Sequence, residues 1–165
     1  MVKVTFQGNP VSLIGEQVKV GDQAPDFTVL SNGLEERSLA DYEGLVKLIS
    51  VVPSLDTEIC SLQTKRFNEE VNQLDHLKVV TISMDLPFAQ SRWCRNEGGD
   101  QMETLSVHRD GEFGRNYGVL IKELRLLARS IFVIDEKNRL TYVEYVEEVA
   151  SHPDYDQVLG YLSKK

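Results

Sequence analysis

The run Val46–Val52, VKLISVV, is apolar and largely β-branched apart from Lys47 and Ser50, and it stops at Pro53. That pattern predicts a central, buried strand. Pro53 cannot extend the ladder and turns the chain. Asp56 and Thr57 are both good caps for a helix that follows. With Thr57 as cap, Cys60 falls at the third helical position. Cys60, Phe67, Val71 and Leu74 then share one helical stripe. Val79–Met84 repeats the β-branched pattern, and Asp85-Leu86-Pro87 breaks it. Pro87 suits the first turn of a helix over Phe88–Glu97, which contains Cys94 and ends at Gly98-Gly99.

Weaker alternation predicts the remaining elements. Val2–Phe6 and Val11–Ile14 read as a hairpin across the turn Gly8-Asn9-Pro10. Asp26–Leu30 reads as a strand, Asn32-Gly33 as a turn, and Leu34–Ser38 as its return. Leu39–Tyr42 is a short helical piece ended by Gly44. Thr104–Ser106 is a short strand and Glu112–Tyr117 a short helix. Ser130–Asp135 and Arg139–Val146 form a hairpin across Glu136–Asn138, and Pro153 opens a last helix, Asp154–Leu162. Strands alternating with helices imply parallel pairing, and the late hairpin adds an antiparallel edge. The expected class is α/β, with a central mixed sheet flanked by helices and an N-terminal β-hairpin.

Composition narrows the picture. The chain has 165 residues, 41% of them hydrophobic, which predicts one domain over 1–165 with a sizeable core. The net charge of −8, with no basic cluster, argues against nucleic acid and anionic membrane surfaces. The N-terminus lacks a signal-peptide core, and no apolar run approaches the roughly 18–20 residues of a membrane span. A cytoplasmic protein is expected. The acidic run Glu144–Glu148, EYVEE, reads as a solvated strand face.

Two cysteines, widely spaced, make neither a secreted disulfide framework nor a C-x-x-C pair. A helix N-terminus and a nearby cation favour thiolate over thiol, so Cys60 is a candidate nucleophile. Equally, a cysteine on an apolar stripe can be a small core residue. Arg129, flanked by Leu126, Leu127, Ala128 and Ile131, reads either as a solvated edge residue or as a cation reaching a pocket. Trp93 beside Cys94 reads as helix packing more than partner binding. His76, His108 and His152 show no metal-ligand spacing and read as surface residues. A Cys–His hydrolase with His108 or His152 as base is a rival, but it leaves Thr57, Arg129 and Cys94 without roles.

Pro53, Thr57 and Cys60 form P-x3-T-x2-C directly after an apolar strand, and this resembles the active-site motif of the peroxiredoxins. Met84–Cys94, MDLPFAQSRWC, is similar to the resolving-cysteine segment of their bacterial, atypical two-cysteine thiol peroxidase subfamily. Leu126–Asp135, LLARSIFVID, looks like its arginine-bearing strand, and Phe6–Val11, FQGNPV, like its N-terminal hairpin. Glu58 stands where a small residue often follows the threonine. The resemblance spans essentially the whole chain and implies a thioredoxin-like fold with no cofactor and no metal. It implies that Cys60 is the peroxidatic cysteine, that Thr57 hydrogen-bonds thiolate and peroxide, and that Arg129 holds the thiolate and polarises the peroxide. Pro53 would shield the pocket and Cys94 would resolve the sulfenic acid. Hydroperoxides would be the substrates, thioredoxin the reductant and a homodimer the assembly. A disulfide needs Cα atoms within roughly 4.4–6.8 Å, so the first turn of the Cys60 helix and much of the Phe88–Glu97 helix are expected to unwind during resolution. The non-enzyme alternative is a peroxide-sensing thiol/disulfide switch using the same two cysteines.

Overall fold

A computed structural model describes residues 2–71, 76–98 and 102–164. The chain opens with β1 (Val4–Phe6) and β2 (Asn9–Val11), paired antiparallel. The turn is Gln7-Gly8, with φ of 52° and 82°, one residue earlier than expected. Two consecutive positive φ angles make the twist that a tight hairpin requires. Pro10 sits in β2, which an edge strand tolerates. The predicted return strand Val11–Ile14 is split. Val11 pairs with Val4, but β3 (Leu13–Ile14) leaves the hairpin. It joins β9 (Leu120–Ile121) and β10 (Leu126–Leu127) in a separate sheet of order β10–β9–β3. These two-residue strands are too short to leave a periodic signal.

Among the described residues the main sheet has seven strands. They are β4 (Val29–Leu30), β5 (Glu36–Arg37), β6 (Val46–Val51), β7 (Leu77–Ser83), β8 (Glu103–Ser106), β11 (Ser130–Ile134) and β12 (Leu140–Tyr145), in the order β12–β11–β6–β7–β8–β4–β5. β6, β7 and β8 run parallel, while β11 is antiparallel to β6 and β12 to β11. The expected mixed sheet with a late antiparallel hairpin is therefore present. The helices are α1 (Glu58–Val71), α2 (Pro87–Trp93), α3 (Glu112–Asn116) and α4 (Tyr155–Ser163). A 3-10 turn covers Leu39–Tyr42. The last helix is capped by the Asp154 side chain, which accepts from the Gln157 amide, so Pro153 precedes the helix rather than opening it.

Strand period decides the layers. Val46 and Leu48 of β6, with Ile131 and Val133 of β11, face Phe67 and Val71 of α1 and Val158 and Leu162 of α4. Ile49, Val51, Phe132 and Ile134 face the other way, onto Phe27, Phe113, Tyr117 and Leu120. Ser50 shares the α1 side with Leu48, so its hydroxyl is aimed at that helix. Lys47 is fully buried on the opposite side, where its Nζ donates to the Asp135 carbonyl and Asn138 Oδ1. Leu74 and Gly99 lie outside the described residues. No helix among the described residues is long and apolar enough to cross a membrane.

Candidate active site

The central crossing places the chemistry. β6 ends at Val51, and Ser130, the first residue of β11, pairs with Val51. Arg129 therefore enters beside the strand end from which Pro53 turns the chain. The Pro53–Thr57 loop is fixed by Asp85, which follows β7. One carboxylate oxygen accepts from the Ser54 hydroxyl at 2.7 Å, and the other from the Leu55 amide at 2.7 Å. α1 begins at Glu58, and the Ser61 amide donates to the Thr57 carbonyl at 3.0 Å. Of the two caps the sequence offers, Thr57 is the one used, and Cys60 is the third helical residue. The amides of Glu58, Ile59 and Cys60 precede that first intrahelical bond, at the positive end of the helix dipole.

Cys60 is 1% exposed and packs with Val52 and Leu55. Burial alone would make it a core residue, but its sulfur accepts a hydrogen bond from Arg129 Nη2 at 3.3 Å. Arg129 is 2% exposed. Its Nε donates to the Val149 carbonyl at 2.8 Å and its Nη1 to Gln63 Oε1 at 2.7 Å. Gln63 in turn donates to the Ser50 hydroxyl at 2.8 Å. Among the described residues no carboxylate pairs with this guanidinium. Arg129 is the buried pocket cation rather than the solvated edge residue. A buried guanidinium without an anion costs several kcal/mol, and a thiolate at Cys60 would supply one.

Pro53, Thr57, Cys60 and Arg129 line one cavity of about 300 Å³, completed by Phe6, Leu126 and Val149 among others. Thr57 is exposed, and its hydroxyl donates to the Ser54 carbonyl at 2.9 Å. Cys94 lies elsewhere. It follows α2 as the first residue of a π-helical turn, Cys94–Gly98, so the predicted continuous helix changes form at this cysteine. Both cysteines are free and buried. Trp93 bridges the two regions. Its ring packs against the Cys60 cluster and its Nε1 donates to Ser61 Oγ at 3.2 Å, the packing role expected of it. No histidine among the described residues lines the cavity. His108 contacts Ser106 Oγ at 3.0 Å, and His152 contacts the Tyr155 hydroxyl at 2.7 Å. Burial pushes the Tyr155 phenol up, against the opposing pull of Arg129 and Arg66.

Sequence reasoning missed Gln63 and Glu148. Gln63 was findable, since it lies one turn after Cys60 on the same face. Glu148 had no local signal, and the run that holds it is not a plain solvated face. Its carboxylate accepts from the Ala150 amide at 2.7 Å, the Gly8 amide at 2.7 Å, the Thr5 hydroxyl at 2.9 Å and the Gln7 amide at 3.1 Å. It ties the β1–β2 turn to the segment whose Val149 carbonyl orients Arg129. These bonds, the Ala150 amide foremost, hold the carboxyl down at about 2, below its ordinary 4.5. The stabilisation is complete above about pH 4.5 and is lost as pH falls toward 2. Acidification through that window is expected to free the hairpin, read as rising amide exchange at Thr5–Gly8. In Glu148→Gln that part of the acid dependence should vanish.

Residues 19–159 match the Redoxin family model. A thiol peroxidase of Oceanobacillus iheyensis is 58% identical over 164 residues, 99% of this chain and 100% of that protein. A thiol peroxidase of Bacillus subtilis is 60% identical over 157 residues, 95% of this chain and 94% of that one. A crystal structure of a peroxiredoxin-like protein from Aquifex aeolicus superposes with a TM-score of 0.92 at 37% identity, over 99% of this chain and 97% of the other. The thioredoxin-like α/β arrangement expected from the sequence is the one observed.

Proposed function

The chain belongs to the Redoxin family and is a thiol-dependent peroxidase of the peroxiredoxin type, and from that premise we propose that Cys60 is its peroxidatic nucleophile and Cys94 its resolving cysteine. The observation that carries this reading is the 3.3 Å bond from a buried guanidinium to the Cys60 sulfur. The Cys60 thiolate attacks the distal oxygen of a hydroperoxide in line with the O–O bond. The S–O bond forms as the O–O bond breaks, and the departing alkoxide or hydroxide takes a proton from water. Arg129 and the first-turn amides meet the charge that develops on the leaving oxygen. The Thr57 hydroxyl, donating to Ser54 at rest, keeps lone pairs to accept the hydroperoxide O–H. Buried Pro53 forms a wall against bulk water.

The Cys94 thiol then condenses with the Cys60 sulfenic acid to give an intramolecular disulfide and water. Thioredoxin is the proposed reductant, exchanging its dithiol for that disulfide. A bridge made and broken in each turnover suits a reducing cytoplasm, with residues 1–165 acting as one domain and two copies forming a homodimer. Hydrogen peroxide and organic hydroperoxides both fit the chemistry.

Intact mass after one equivalent of peroxide tests the assignment. The wild-type protein should lose about 2 Da as one disulfide forms, while Cys94→Ser should gain roughly 16 Da as a sulfenic acid. With thioredoxin present, Cys94→Ser should react once and stop. Full turnover by Cys94→Ser would remove Cys94 from the scheme.

A further inference from the structure

Cys94 sits in a ring of hydrogen bonds that the peroxide chemistry does not use. Its sulfur lies 3.5 Å from Thr104 Oγ1 and 3.9 Å from Asn32 Nδ2. The Thr104 hydroxyl donates to Asn32 Oδ1 at 2.9 Å, which leaves the Thr104 oxygen to accept from the cysteine S–H. Asn32 donates its amide to the sulfur, and the ring closes. Thr104 belongs to β8 and Asn32 to the turn between β4 and β5. The ring therefore fastens the end of α2 to the sheet, with Cys94 6% exposed.

Apart from Trp93, whose ring packs on the Cys60 cluster and whose Nε1 donates to Ser61 Oγ, the rest of α2 is weakly held. It has only seven residues and buries only Pro87 and Gln90. The Gln90 amide donates to Ser83 Oγ and the Leu105 carbonyl, but its own Oε1 is buried with no partner among the described residues. Leu86 and Phe88 are 52% and 67% exposed. A short helix with so little apolar burial, followed by a π-helical turn, is a segment that opens at low free energy. Contacts at its far end then decide how often it opens.

We propose that Asn32 and Thr104 are positioning residues that latch the Cys94 sulfur in place and set the rate of disulfide formation. This deepens the reading of Cys94 as the resolving cysteine and rests on it. When the ring opens, the Cys94 sulfur attacks the sulfenic sulfur of Cys60. An S–S bond forms, the S–O bond breaks, and the departing hydroxide takes the thiol proton and leaves as water. While the ring stays closed the sulfenic acid persists, and a second hydroperoxide can carry it to sulfinic acid. The latch thus sets the balance between resolution and overoxidation.

The test follows the single tryptophan, Trp93, by stopped-flow fluorescence in Thr104→Val, Thr104→Ser and Asn32→Ala. Cys60 oxidation is the phase whose rate rises with peroxide, and disulfide formation is the phase independent of it. Thr104→Val and Asn32→Ala should each leave the first phase unchanged. Each should speed the second about fivefold, the weight of one hydrogen bond, and each should need more peroxide to reach the sulfinic form. Thr104→Ser, which keeps the hydroxyl, should behave as wild type. An unchanged or slower second phase in both Thr104→Val and Asn32→Ala overturns the latch. Cys94→Ser run alongside separates the premise: a peroxide-independent phase that survives in it overturns the resolving role itself.

Discussion

Cys60→Ser is expected to bring peroxide consumption down to the uncatalysed background, a loss on the order of 10⁴-fold or more. A serine hydroxyl stays neutral under conditions where a thiolate is available, and oxygen cannot cycle through sulfenic acid and disulfide. The loss should not come from unfolding. Serine is slightly smaller than cysteine, and in the pocket with Val52 and Leu55 its oxygen can take the hydrogen bond that Arg129 gives the sulfur. Arg129 also keeps its bonds to Gln63 and Val149. Serine takes the hydrogen bond but not the negative charge, so the buried guanidinium loses its anion and the thermal midpoint should fall, yet the protein should stay folded at assay temperature while turnover disappears. Peroxide loss followed with a thioredoxin system, beside a melting curve, separates the two effects. Retention of peroxidase activity within tenfold of wild type by Cys60→Ser would assign the nucleophile to another residue.

Strong periodic signals located most of what matters here. β6, α1 and β7 were legible because long β-branched runs and a capped helix leave few alternatives, and those three elements place Cys60. The late hairpin was legible too, and its pairing with β6 brings Arg129 to the thiol. What sequence could not supply is long-range polar contact. Glu148 looked like one acid in a charged run, yet it gathers donors from the other end of the chain. Asn32 looked like a turn residue, yet its amide reaches Cys94. The π-helical turn at Cys94 is a departure from helical spacing that residue pattern does not encode. The two-residue strands β3, β9 and β10 owe their form to tertiary pairing alone.

Arg129→Met is expected to slow the reaction of Cys60 with peroxide by roughly 10²–10³-fold, the usual cost of losing one charged donor at a developing oxyanion. Methionine keeps much of the volume and removes the charge. Removing one member of a buried pair is destabilising, and Gln63 Oε1 and the Val149 carbonyl would lose their donor too, so the melting temperature should also fall. The rate is therefore read at a temperature where the variant is folded. Arg129→Lys is not a conservative control. Three separate acceptors, Cys60 Sγ, Gln63 Oε1 and the Val149 carbonyl, are met by one planar fork, and a single ammonium cannot reproduce that geometry. It should recover only part of the loss. Because Arg129 makes no contact with the Cys94 ring, the peroxide-independent phase should keep its wild-type rate in both variants. A methionine variant whose peroxide-dependent phase stays within threefold of wild type would show that the guanidinium serves the fold and not the thiolate.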